Sequence, residues 1–381
     1  STDAPSAWDS TTPSVWLTER EVWYPNGYRG PHRSAQLEAD GALGHAVDME
    51  PFASLGEADD PVVAEDGGVV AYAETVYRTQ QDADVFVTLR SGGTWSKPVA
   101  LMPTPALDDD PAMAFSGGSL AVAWNHGAYP SAPDLALAIV DRDARVVTTS
   151  VVARDAEAEG LAVVGVQHGW LLIYTPSSTP PGAQRGLVAL AIDEQGRVAS
   201  RTVVTKDAAL WPVAAWNGHD VGVAFRDETD GRSVGFVRLG PDGHPLGSVV
   251  AADTHPDPLA GFRPLSLVPD KTGWWLADVA SFSASVMIAR ASEARVVDLD
   301  PEGKPRRTVV VSDREAGASI VRLARHGDRV RGVFVEDRGA QRLRSFTLGC
   351  AASQTPAPAD ADGSGADPAT TQAARVVPAS R

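Results

Sequence analysis

The residues with chemistry to offer sit at repeated places in the chain. Carboxylates gather just ahead of a recurring apolar phrase: Glu57, Asp59 and Asp60, then Asp108, Asp109 and Asp110, then Glu157 and Glu159, then Asp207. Grouped carboxylates can hold a hard cation such as Ca2+ through oxygen ligands, or attract a basic ligand. No D-x-D-x-D-G loop is present, so no cofactor is assigned and Ca2+ has no motif behind it. An Asp before Pro also simply caps a loop and keeps a strand edge soluble. In later copies the residue just ahead of the phrase is Trp211 or Arg263. An aromatic and a guanidinium beside acids at one rim suit a sugar or a peptide.

A second set of loops carries Tyr24, Tyr28, Arg29, His32 and Arg33 in YPNGYRGPHRS, and further along Tyr77, Arg78, His126, Tyr129, Arg185, Arg226 and Asp227. Aromatic, Arg and Asp together are the composition of recognition surfaces, and also of ordinary loops. The ligand-binding candidates are therefore Asp60, Asp110, Glu159, Trp211, Arg263, Tyr24, Tyr28, Arg29, His32 and Arg226. His168, His219 and His326 recur at one repeat position, which reads as a hairpin turn rather than a metal site, since equivalent turns need not converge. There is no G-x-S-x-G elbow, no H-E-x-x-H and no phosphate loop, so neither a catalytic residue nor a metal ligand is assigned. SGGTWSKP at 91–98 is similar to the second half of the Asp-box repeats of sialidases and related glycosidases. It occurs once, without the leading Ser-x-Asp, and no arginine triad accompanies it.

The elements that must position these residues come from an internal repeat. PVAAWNGHDVGVAFRD at 212–227 aligns with PAMAFSGGSLAVAWNH at 111–126 and PVVAEDGGVVAYAET at 61–75, with weaker copies starting at 13, 161, 264 and 319. The spacings are 48, 50, 50, 51, 52 and 55 residues. Each unit reads as four β-rich runs separated by turns. In the fifth these are VAAW, VGVAF, SVGFVRL and PLGSVVA, with PDG at 241–243 as the last turn and DRDA, DEQG and DPEG as its siblings. Four strands on a clock of ~40–50 residues are the signature of an all-β β-propeller. Seven blades fit best; six blades plus an N-terminal extension, or an irregular β-sandwich array, are the alternatives. In a propeller the loops leading into first strands and those joining second to third strands share one face, by fold-level analogy the functional one.

The expected organisation is a tether or closing segment at 1–12, the propeller at 13–349, a Pro/Ala/Gly/Asp-rich segment at 350–372, and a returning strand of the last blade at 373–381. Arg375-Val376-Val377 matches the fourth-strand pattern of RVVTTSVVA at 145–153, which favours closure by the C-terminal segment over closure by residues 1–12.

Composition sets the outer limits. The 381 residues include Gly 35 and Pro 28, about one in six against a usual ~12%, which argues against long helices. A net charge of −16 repels nucleic acid. One cysteine, Cys350, precludes an intrachain disulfide. The chain opens at Ser1 on a Ser/Thr/Pro/Ala-rich stretch, which suits a tether after a removed export or lipoprotein signal and equally an arbitrary boundary.

AWNGHDVGVAFRD at 215–227, with AMAFSGGSLAVAWNH at 112–126, resembles the A-W-N-G repeats of exported bacterial β-propeller proteins, many of them lipoproteins of myxobacteria and their relatives. The resemblance implies a propeller and export to the periplasm, cell surface or medium, with membrane contact only through a removed N-terminal anchor. It brings no active site. The resulting expectation is a monomeric, non-enzymatic binding platform for a protein, peptide or glycan, using the acidic, aromatic-edged face. The alternatives are a glycan-active propeller hydrolase or lyase with carboxylates at the channel mouth, at least one of raised pKa, and a calcium-dependent lectin.

Overall fold

The structure is a computed structural model that describes residues 15–25, 32–38, 43–49, 55, 57–79, 82–127, 133–154, 156, 158–176, 186–229, 231–255, 265–281, 292–313, 317–337 and 341–348. Among these every regular element is a strand, and the strands form six antiparallel sheets. The fourth, fifth and sixth repeat units are each one four-stranded sheet in chain order, as is the first. The second and third units are joined into a nine-stranded sheet through one parallel bridge, Leu107 to Ala83. The seventh unit shows three described strands, Ile320–His326, Arg329–Asp337 and Gln341–Leu348. Both segments proposed to supply a fourth, 1–12 and 373–381, lie outside the described residues.

The fifth unit shows how closely strand and phrase agree. Its strands are Ala209–Trp216, Val221–Asp227, Ser233–Leu239 and Val250–Thr254. The last begins five residues later than PLGSVVA suggests, because Pro245 has no N–H and makes only an isolated bridge to Leu239. The final turn behaves as its Asp and Gly demand. Asp141, Asp193 and Asp300 each accept backbone N–H groups of their own turn through Oδ1, and Ala144, Gly196 and Gly303 follow in the left-handed region.

The second and third strands are buried on both faces, so each sheet shares an apolar core with the next. Trp124 fills the core between the second and third units, Trp170 that between the third and fourth, and Phe225 that between the fourth and fifth. Trp274 and Trp275 serve the following two. Val15, Val22, Tyr24 and Ala35 of the first unit pack in turn on Ile320, Val333 and Val335 of the seventh. Half-buried Arg322 donates from Nε to Val15 O at 2.9 Å and from Nη1 to Leu265 O at 3.1 Å, tying the first strand of the seventh unit to the residues that lead into the first strands of the first and sixth. Burial pushes its guanidinium down to about 10, so it stays charged at neutral pH.

Candidate functional site

A β-bulge recurs where the first strand of a unit begins. Pairing with the second strand slips between Asp59 and Val62, Asp109 and Ala112, Ala158 and Leu161, and Leu210 and Val213. The residue just ahead of the phrase then takes a left-handed conformation, with φ of 52° at Asp110, 97° at Gly160 and 50° at Trp211. For Asp this is uncommon and for Trp it is an outlier, the kind of backbone strain that collects at binding sites. The bulge re-aims side chains that strand alternation would place on a sheet face. A Cβ on Gly160 would lie 2.8 Å from Trp211 Cα and 3.1 Å from its N, so the lead-ins of the fourth and fifth units touch. Asn125 holds the neighbouring pair, donating from Nδ2 to Asp110 Oδ2 at 3.4 Å and to Ala158 O at 3.3 Å, and accepting the Ala158 N–H at 2.8 Å.

The lead-in carboxylates do not act as one pool. Asp108 turns inward and accepts a 2.6 Å hydrogen bond from His126 Nδ1, with side-chain exposures of 1% and 17% for Asp108 and His126. Burial pushes the Asp108 carboxyl up to about 6 against the pull of the imidazole, and Asp84 adds to the rise. Asp84 lies near the start of the third strand of the second unit, Asp82–Ser91, where burial raises its own carboxyl and Arg78 Nη2, 2.7 Å away, pulls it back. First-strand starts, second-strand ends and third-strand starts therefore share one face, as the repeat predicts. A carboxyl raised by folding contributes stability that is complete below its unfolded value of ~3.9 and is lost as pH rises through about 6. Asp108→Asn should accordingly gain stability relative to wild type between pH 4 and pH 8, by on the order of 2 kcal/mol. Thermal melts at the two pH values check this, and an unchanged difference would sink it.

A second group clamps the fifth unit to the sixth. Buried His255 pairs through Nε2 with Asp278 Oδ2 at 2.6 Å, Arg226 Nη1 lies 3.7 Å from the same oxygen, and Arg295 Nη1 lies 3.3 Å from Asp253 Oδ2. Burial pushes Asp278 up, but the His255 hydrogen bond and the charges of His255, Arg226 and Arg295 outweigh it and hold the carboxyl below its usual range. Burial and the Asp278 charge push Asp253 the other way. Asp253, His255 and Asp278 each offer one ligand atom within 4.8 Å of the others, enough to consider a metal. Two guanidiniums already balance the two carboxylates, however, so a divalent ion would bring uncompensated charge into a buried site. The arrangement is built as an inter-sheet clamp.

The predicted ligand residues divide accordingly. Asp110 and Trp211 stand on the bulges. Asp60, Glu159 and His32, read as loop residues, lie within strands Glu57–Asp66, Ala158–Val166 and His32–Leu37; their side chains are outside the described residues, as are Tyr28, Arg29 and Arg263 altogether. Two assignments need correction. Tyr24 is packed in the core between the first and seventh units, and Arg226 is buried against Asp278, so neither reaches a ligand at the surface. His168, His219 and His326 are exposed at separate hairpin turns, as read. SGGTWSKP forms the outer hairpin of the second unit, and its Trp95 packs edge-on against Trp23 at 5.9 Å. The Asp108–His126 pair escaped sequence reasoning although a signal existed: three residues ahead of the phrase the sibling units carry Ala58, Ala158 and Ala209.

The sequence matches no family profile and no curated protein. Solved structures are similar in fold. A subtype N10 neuraminidase-like protein of A/little yellow-shouldered bat/Guatemala/060/2010 aligns at TM-score 0.50 and 11% identity, over 76% of this chain and 94% of its own. A protein of unknown function from Dyadobacter fermentans aligns at 0.50 and 12%, over 76% and 94%. A structure described as NanB plus Optactamide aligns at 0.50 and 8%, over 77% and 68%. The chain thus has the all-β, propeller-type fold of neuraminidase-like proteins, at identities that bear on fold alone.

Proposed function

We propose that this protein is a seven-bladed, glycan-directed propeller that takes its ligand on the lead-in face, between the bulges bearing Asp110 and Trp211. The observation that carries this reading is the pair of strained bulges, which commit an indole and a carboxylate to the mouth at a cost in backbone energy. An indole offers a flat apolar face for a sugar ring, and a carboxylate accepts hydrogen bonds from its hydroxyls. The core shared by the first and seventh units, together with the Arg322 bridge, supports seven blades. Between binding alone and turnover, a glycan-active protein has the better support, from carboxyls of raised pKa on the same face and from the fold shared with a neuraminidase-like protein.

The test is a glycan array probed with the intact protein, followed by calorimetry on the best glycan. Trp211→Ala should weaken binding at least tenfold. Gly160→Ala, whose new methyl would displace Trp211, should weaken it too and destabilise the fold by about 1–3 kcal/mol. Binding that survives both substitutions unchanged would place the ligand elsewhere.

A further inference from the structure

We infer that His126, oriented by the buried carboxylate of Asp108, is a proton-transfer group acting on a hydroxyl of the bound glycan or on a water beside it. The inference rests on the glycan reading above and names the chemistry of the same face.

The repeat itself supplies the argument. Cross-strand partners at this place are Ala58 with Val76, Asp108 with His126, Ala158 with Pro176, and Ala209 with Asp227. The sibling units build the same strand pair with alanine, so the architecture does not require a carboxylate there. Burying one costs free energy that an alanine avoids. Its shortest hydrogen bond, 2.6 Å, is to an imidazole whose other nitrogen is left available. His126 Nε2 has no hydrogen bond among the described residues, and the His126 side chain keeps 17% of its surface exposed.

An ionised carboxylate can only accept, so Asp108 fixes the proton on Nδ1 and leaves a lone pair on Nε2. A buried acid orienting a partly exposed imidazole is the arrangement of a general base. A proton then passes from a water to Nε2 as the water oxygen bonds to the anomeric carbon and the glycosidic C–O bond breaks; the Asp108 charge matches the imidazolium until the proton is returned to the departing oxygen. The groups around the pair are Trp124 on its own strand, Asp134 in register on the third strand of the same unit, and Asp84 with Arg78 from the second unit.

Two measurements on the intact protein test the inference. Diethyl pyrocarbonate, which acylates an unprotonated imidazole nitrogen, should label His126 in wild type. Asp108→Asn should slow that labelling at least tenfold without altering exposed His168 and His219, because an amide can donate to Nδ1 and moves the proton to Nε2. Turnover is then followed on a panel of 4-methylumbelliferyl glycosides and on uronate polysaccharides. His126→Ala and Asp108→Asn should each lower kcat by 10²–10⁴ with glycan affinity retained, and the wild-type profile should rise through about pH 6. Glycan binding that depends on Trp211 with no turnover, or with turnover indifferent to His126, would overturn this inference alone. Failure of any glycan to bind would overturn it together with the reading it rests on. Since the siblings carry alanine, Asp108→Ala is a folded control in which the imidazole loses its orienting partner.

Discussion

Asp278→Ala is expected to destabilise the protein by about 3–5 kcal/mol, the usual cost of removing one partner from a buried ion-paired group. The reason lies in what remains. Arg226 and His255 keep their positions with almost no exposure and lose the carboxylate that faces both, leaving charge and a polar nitrogen in a site that water does not reach. Asp278→Asn preserves shape and an acceptor oxygen and should cost clearly less. The pH dependence carries its own sign. Folding holds the Asp278 carboxyl below its usual range, so the group stabilises the fold above an unfolded value of ~3.9 and ceases to do so as pH falls through its folded value. The gap between wild type and Asp278→Ala should therefore be full at pH 7 and shrink in acid. Denaturant midpoints at pH 7 and pH 3 measure both. A gap below 1 kcal/mol at pH 7 would mean that the clamp contributes nothing net.

Trp274→Ala should cost a similar amount, about 3–5 kcal/mol, by a different route. Trp274 is 1% exposed, stands 5.7 Å from the Phe236 ring, and fills the core between the fifth and sixth units. Its repeat counterpart in the fifth unit is Gly222, and the two meet across the sheets: a Cβ on Gly222 would lie 2.9 Å from two ring carbons of Trp274. A large residue at one repeat position is thus accommodated by the smallest at the same position next door. Gly222→Ala should cost about 1–3 kcal/mol through overpacking. In a Trp274→Ala background that cost should largely disappear, because the clashing ring is gone. A double-mutant cycle reads this coupling directly, and additive effects would show that the pair does not interact.

These two cases also show what sequence reading can reach. The doubled tryptophan at 274 and 275 is visible as a departure from the repeat, but its partner is visible only once the fifth and sixth sheets are face to face. The strands and turns were legible because their causes are local: two-residue alternation, β-branched runs, and Asp and Gly where a hairpin needs an acceptor and positive φ. The face shared by lead-in and second-to-third loops was legible too, since it follows from strand direction alone.

The site was legible in part. Asp110 and Trp211 could be named because they hold one fixed place before the phrase, and the bulges carry both. Tyr24 and Arg226 looked like recognition residues by type, and composition cannot tell a rim from a core. Tyr24 is buried because the first unit meets the seventh, some 300 residues away in the chain, and Arg226 because Asp278 of the next unit lies across from it. Asp108, Asp109 and Asp110 read as one acidic cluster, yet a bulge between Asp109 and Ala112 separates them, sending Asp108 inward to His126 and Asp110 to the rim.

The sequence by itself determined an all-β chain, a clock of about fifty residues, four strands to a unit and the face on which the loops must meet, because each follows from short-range pattern repeated. The tertiary structure alone decided which carboxylates are buried with an imidazole or a guanidinium and which, like Asp110, remain exposed. That depends on the side of a bulged strand on which a residue falls and on the sheet packed against it, and both are long-range facts.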